Sequence, residues 1–221
     1  MQAYVDACAR RPGAARVAPL LDRILPDPAM HARFVNTLAR LEYVGVRKIL
    51  KSRRAERLDL AGLQHILDET VHALRLKKAA VALAAERAGV DTFDDASTLA
   101  GDAGETYLQA LDRRAEESLA DRPADTRAET NYLLTSATIE VRAQVFYPIY
   151  EHRLRAHGAP FSVAAITKDE DRHLAEMAAG LSDALPDWAR RLEPLLEAEE
   201  ALFGRFVSAM EAALDGSVPR R

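Results

Sequence analysis

Apolar residues recur three and four positions apart along almost the whole chain, and the alternation of a strand is nearly absent. That period leaves one fold class: the chain is expected to be all-α. Ala and Leu dominate and aromatic residues make up only 6%, a bias that also favours helix over strand. With 221 residues, 48% of them hydrophobic and 29% charged, the chain can bury a sizeable core. A single domain over 1–221 is expected.

Turn chemistry divides the periodic stretches. A short helix over about 14–24 stops at Leu25-Pro26-Asp27-Pro28, where Asp27 can cap the next helix and Pro28 suits its first turn. That next helix runs over about 28–57. Asp59 can cap a third, about 60–88, which Gly89 ends. Residues 90–125 hold turn-like DTFDDAST and DRPADT around a helical stretch near 98–120. A long helix over about 124–157 follows, with a kink expected one turn before Pro148. Another covers about 162–184, or starts later at a Thr167 cap with Glu170 at its third position. The last covers about 187–214, its regular part beginning at Pro194. Two long helical pairs with short internal loops, joined by one long link, predict a four-helix bundle over about 28–184. Its long crossover joins the second and third bundle helices, and the accessory helices 14–24 and 187–214 pack outside.

Several function classes fall away. The one cysteine, Cys8, makes no internal disulfide, redox pair or four-cysteine metal site. No run of about 18 apolar residues exists to cross a membrane, and the first residues lack the apolar core of a signal peptide. A cytoplasmic location is expected. A net charge of −4 argues against a dedicated nucleic-acid binder.

The chemistry sits in two repeated motifs. Asp68-Glu69-Thr70-Val71-His72 and Asp169-Glu170-Asp171-Arg172-His173 both read D-E-x-x-H. On a helix, Glu and His three apart share a face and can bind one metal centre. His65, Ile66, Ala73 and Leu76 flank Glu69, while Val163, Ile166, Leu174 and Met177 flank Glu170, so both carboxylates lie on core-facing stripes. An unpaired carboxylate there costs several kcal/mol, so something positive must offset it. The helix before each motif carries one glutamate on a mostly apolar face: Glu42 among Val35, Leu38, Val46 and Ile49, and Glu140 among Leu133, Ala137, Ala143 and Tyr147. Four carboxylates carry four negative charges, which two divalent cations neutralise. Oxygen-rich ligation with one imidazole per metal suits iron or manganese better than zinc. Glu69 and Glu170 would bridge or bind terminally, Glu42 and Glu140 would bind terminally, and His72 and His173 would each hold one metal.

Glu42, Glu69-x-x-His72, Glu140 and Glu170-x-x-His173 resemble the ligand set of the ferritin-like di-iron carboxylate proteins, over roughly residues 30–184. The second motif also resembles the D-E-x-R-H box of oxygen-activating members. That resemblance implies that Asp68 and Asp169 orient His173 and His72 across the bundle, and that Arg172 pairs with one of these aspartates. It implies two iron ions, or iron with manganese, dioxygen or peroxide as reactant, an external electron donor and a small-molecule substrate. A hydroxylase or oxidase is the expected activity. The alternatives are a rubrerythrin-like peroxide or iron-handling protein, a ferroxidase, a tRNA hydroxylase similar to the di-iron enzymes acting on modified adenosine, and a purely structural bundle. The appended helices favour a compact monomer or homodimer over a shell.

The remaining polar residues have plainer expected roles. His65, one turn before Glu69, reads as a packed or orienting histidine rather than a seventh ligand, and Glu176 reads as a solvated residue. His31, His152 and His157 lie near helix ends and are expected at the surface. Tyr147, two turns after Glu140, is expected in the core or beside the metals. Gly45, Ala73, Ser136, Ala137 and Ala143 either leave a pocket there or let helices approach. Arg47, Lys48, Lys51, Arg53, Arg54 and Arg57 form a basic run at a helix C-terminus, where the macrodipole favours cations. Cys8 is expected to do nothing catalytic.

Overall fold

The computed structural model describes residues 1–53, 55–84 and 89–216, the side chain of Arg57 excepted. Among these residues the chain forms eight α-helices and one short 3-10 turn, with no strand. The helices are α1 (Gln2–Ala9), α2 (Pro12–Ile24), α3 (Pro28–Ser52), α4 (Leu60–Ala84), α5 (Ala103–Ser118), α6 (Ala124–Ala156), α7 (Ala164–Ala184) and α8 (Trp188–Leu214). No helix among the described residues is long and apolar enough to cross a membrane.

The caps act as their residue types dictate. The Asp27 carboxylate accepts from the backbone N–H of Ala29 at 2.8 Å and of Met30 at 3.2 Å, which starts α3. Asp59 accepts from the Gly62 N–H at 2.8 Å and starts α4. Between them α3 ends earlier than its basic run suggests. Arg53 turns extended, and Ala55–Arg57 form the 3-10 turn. This bend carries the Arg53 guanidinium over the Tyr132 ring, 5.9 Å from its centroid, and within 3.8 Å of Glu129. Gly62 makes room for it, since a Cβ there would lie 2.8 Å from Arg53 Nη1. Arg54 and residues 85–88, the expected end of the third helix, lie outside the described residues. α6 runs through Pro148 without a break, and Thr167 lies inside α7 rather than capping it.

Short connections turn the chain back on itself, so α3 packs along α4 and α6 along α7, the two most extensive pairings. The pairs meet through α3 with α6 and α4 with α7. The long link between α4 and α6 carries α5, which packs against α8, α6 and α3. α2 lies against α6 and α8. The short α1, which has too few residues to show a period, packs on α6 and places Tyr4 edge-on to Trp188. The core is continuous, from Leu21 and Ile24 through Phe34, Tyr132 and Tyr150 to Leu181 and Leu192.

Candidate metal centre

Each of α3, α4, α6 and α7 sends one glutamate into the same interior. Glu42, Glu69, Glu140 and Glu170 all line one cavity. Their donor atoms, with those of the histidines, fall into two groups. Glu42, Glu69, His72 and Glu170 form one; His65, Glu69, Glu140 and His173 form the other. Within each group the donor atoms lie within 4.8 Å of one another. Glu69 belongs to both. Glu170 straddles them, with Oε2 2.9 Å from His173 Nδ1 and Oε1 3.4 Å from His72 Nδ1. All six residues nominated by the motifs therefore meet. His65, read from sequence as a packed histidine, joins them, while Glu176 does not.

The separations fit a cation. Donors about 2.1 Å from an ion lie about 3.0 Å apart when adjacent and about 4.2 Å apart when opposite. His65 Nε2 is 3.3 Å from Glu69 Oε1, and His173 Nδ1 is 3.5 Å from Glu69 Oε1 and 3.7 Å from Glu140 Oε1. His72 Nδ1 is buried with no hydrogen-bond partner. A buried polar atom without a partner costs about 1–3 kcal/mol, and a metal ion in the first group would remove that cost.

Behind the donors, each motif serves the other. His72 Nε2 lies 3.1 Å from Asp169 Oδ2, and His173 Nε2 lies 3.3 Å from Asp68 Oδ2. Arg172 joins the two aspartates, donating to Asp68 at 2.8 Å and to Asp169 at 3.3 Å. With Nε2–H donating to a carboxylate, each imidazole turns its Nδ1 lone pair inward. Asp169→Asn is expected to lower metal affinity by about 10–100-fold with the fold intact. Equilibrium metal titration checks this, and unchanged affinity would deny the aspartate its role.

The electrostatics show how crowded the carboxylates are. Burial, and then the charges of Glu69 and Glu170, push Glu42 well above the usual carboxylate range. Burial and the Glu170 charge raise Glu69 to about 7 and push Glu140 well up. Burial also raises Glu170, but the hydrogen bond from His173, with His72 and Glu140 close by, outweighs it and holds this group well below the usual carboxylate range. Burial opposes the charge on His72, yet Glu170, Glu42 and Glu69 lift it to about 10. These shifts favour protons in the metal-free cluster. Cation binding must expel them, so metal affinity is expected to rise with pH.

Tyr147 hydrogen-bonds through its hydroxyl to Glu42. Gly45 leaves room for Glu69, because a Cβ there would stand 3.0 Å from Glu69 Oε2. The cavity beside the carboxylates holds about 120 Å³, walled by Leu38, Ile139, Phe146, Phe203 and Phe206, with Tyr107 and Arg142 also lining it. A second groove, of about 520 Å³, touches Gly45, His65, Glu69 and Glu140 and carries Arg47, Lys48 and Lys51. A larger groove of about 780 Å³, between α5 and α8, lies away from the carboxylates.

Other residues settle as follows. His31 is buried, not at the surface: its Nε2 pairs with Tyr150 Oη at 2.8 Å, and Phe161 packs on its ring. A loop beyond α6 supplies that cover, which its helix-end position did not reveal. His152 and His157 are exposed. In the basic run, Arg47 pairs with Glu105 and Lys48 with Asp112, both on α5. Cys8 is buried, and burial raises its thiol to about 11. Compared with protein-family models, curated proteins and solved structures, the chain gives no match to any of them.

Proposed function

We propose that this chain is a ferritin-like di-iron carboxylate oxidoreductase, with iron–manganese as the alternative pair, that uses dioxygen to hydroxylate or oxidise a small molecule. The observation that carries the reading is the pair of donor groups sharing Glu69 and straddled by Glu170, drawn from two helical pairs joined by a long link. In this reading α3, α4, α6 and α7 are the four helices of the bundle. Glu42, Glu69, His72, Glu140, Glu170 and His173 hold the metals. Bound iron supplies Lewis acidity and one-electron chemistry toward oxygen.

The chain's own residues do the rest. Asp68 and Asp169 hold the Nε2 protons of His173 and His72, and Arg172 fixes both aspartates. The Tyr147 hydroxyl keeps Glu42 in place. Phe146, Phe203, Phe206 and Ile139 give the space beside the carboxylates apolar walls. That apolar space favours a small organic substrate over iron storage. The pairing of Arg47 and Lys48 with α5 leaves less of the basic run for RNA. The lone buried Cys8 offers no dithiol, so electrons must come from an external donor.

Iron(II)-loaded protein is expected to consume oxygen stoichiometrically and to gain a near-ultraviolet charge-transfer band. Stably bound iron that never reacts with oxygen would overturn the reading. Loading is also expected to raise the melting temperature, since a ligand at a hundred times its Kd stabilises by about 2.7 kcal/mol. A melt that iron does not shift would count against a site built for it.

A further inference from the structure

We infer that the two metal positions differ in chemistry because His65 is a seventh ligand, making one position rich in nitrogen and leaving the other rich in oxygen. This rests on the two-metal reading above and refines it.

His65 lies one turn before Glu69 on α4 and is buried. Its ring is held from two sides. Nδ1 lies 2.8 Å from Tyr132 Oη on α6. The ring also stacks on His173, with centroids 4.0 Å apart and planes 27° apart. These contacts leave one ring nitrogen free to face the cluster. Nε2 lies 3.3 Å from Glu69 Oε1 and 4.0 Å from Glu140 Oε1. By the spacing argued above, the first suits adjacent donors and the second near-opposite donors on one cation. The tautomer that donates from Nδ1 to Tyr132 Oη leaves the Nε2 lone pair for the metal. Tyr132 therefore serves His65 as Asp68 serves His173 and Asp169 serves His72.

The consequence is unequal positions. One offers His65, His173, Glu140 and a share of Glu69; the other offers His72, Glu42, Glu170 and a share of Glu69. Two imidazoles against one separate the metals each prefers, since Glu69 is shared and Glu170 reaches both positions. Imidazole suits the later first-row ions, whereas carboxylate suits manganese. Cobalt(II) binds more tightly than manganese(II) at either position, but by a wider margin where nitrogen donors are richer, so a single equivalent of cobalt offered with excess manganese should settle in the position of His65.

The test titrates metal-free protein with manganese(II) and cobalt(II), singly and mixed. Bound metal is read by mass spectrometry and the cobalt position by its visible spectrum. With cobalt limited to one equivalent and manganese in excess, the parent should bind one of each per chain. His65→Ala should weaken cobalt by more than about 100-fold and leave the manganese position filled. Tyr132→Phe, which keeps the buried ring and removes only the hydroxyl, should weaken cobalt by about 10–100-fold, as the loss of a ligand's outer partner does. It decides the matter if His65→Ala fails to fold. Two metals bound by the parent, with cobalt affinity unchanged in both variants, would overturn the inference and leave the two-metal reading standing. No metal bound by the parent would overturn both.

Discussion

Glu140→Gln is expected to weaken one of the two proposed metals by more than about 100-fold, beyond the 10–100-fold that an outer partner typically costs, while the metal-free protein keeps its stability. The second half is the sharper expectation, because removing a buried charged group ordinarily harms a fold. Here burial and the neighbouring Glu170 carboxylate push Glu140 well above the usual carboxylate range, toward its neutral form, in the metal-free cluster. A glutamine amide matches that neutral form in shape. Melting curves without metal should agree within about 0.5 kcal/mol, the range of a neutral substitution. Metal content should fall from two to one. A large loss of stability without metal would show that Glu140 is ionised in the empty cluster.

Glu199→Ala is expected to do the reverse: destabilise the fold and spare the metals. Glu199 is fully buried, and Arg142 grips it twice, from Nε at 2.9 Å and from Nη2 at 2.7 Å. Tyr107 Oη donates to it at 2.8 Å. The guanidinium also lies over the Phe203 ring, 4.2 Å from its centroid. Breaking a buried pair by removing one partner costs about 3–5 kcal/mol. The low end is expected, because Glu200 still accepts from Arg142 at 2.8 Å. At about 2–4 °C per kcal/mol for a chain of this size, the melting temperature should fall by roughly 6–12 °C. Replacing both partners, as Arg142→Met with Glu199→Leu, should recover most of the loss. A melt of Glu199→Ala within 2 °C of the parent, on the order of 0.5 kcal/mol, would show that the pair contributes little to holding α6 to α8.

These two sites also mark what a sequence can disclose. The helices are legible because apolar period and capping residues are local: Asp27 and Asp59 act on N–H groups two and three residues away. Glu69 with His72 and Glu170 with His173 are legible for the same reason, since three residues on a helix is one turn. His65 shares their stripe, but a histidine there serves equally as packing. What distinguishes it comes from elsewhere in the chain, as Tyr132 on α6 and the His173 ring on α7. Nothing near Arg142 or Glu199 in the sequence marks either residue, and only the packing of α6 against α8 makes them a buried pair. The same holds for Arg53, which meets Tyr132 and Glu129 just where α3 ends at Ser52 although its sequence could continue the helix.

The most direct measurement is anomalous diffraction at the iron edge from crystals of iron-loaded protein. Two peaks are expected between the α3–α4 and α6–α7 pairs. One should be bounded by Glu42, His72 and Glu170 and the other by His65, Glu140 and His173, with Glu69 between them. A well-ordered carboxylate cluster with no peak inside it, or iron bound only at the surface, would contradict the account.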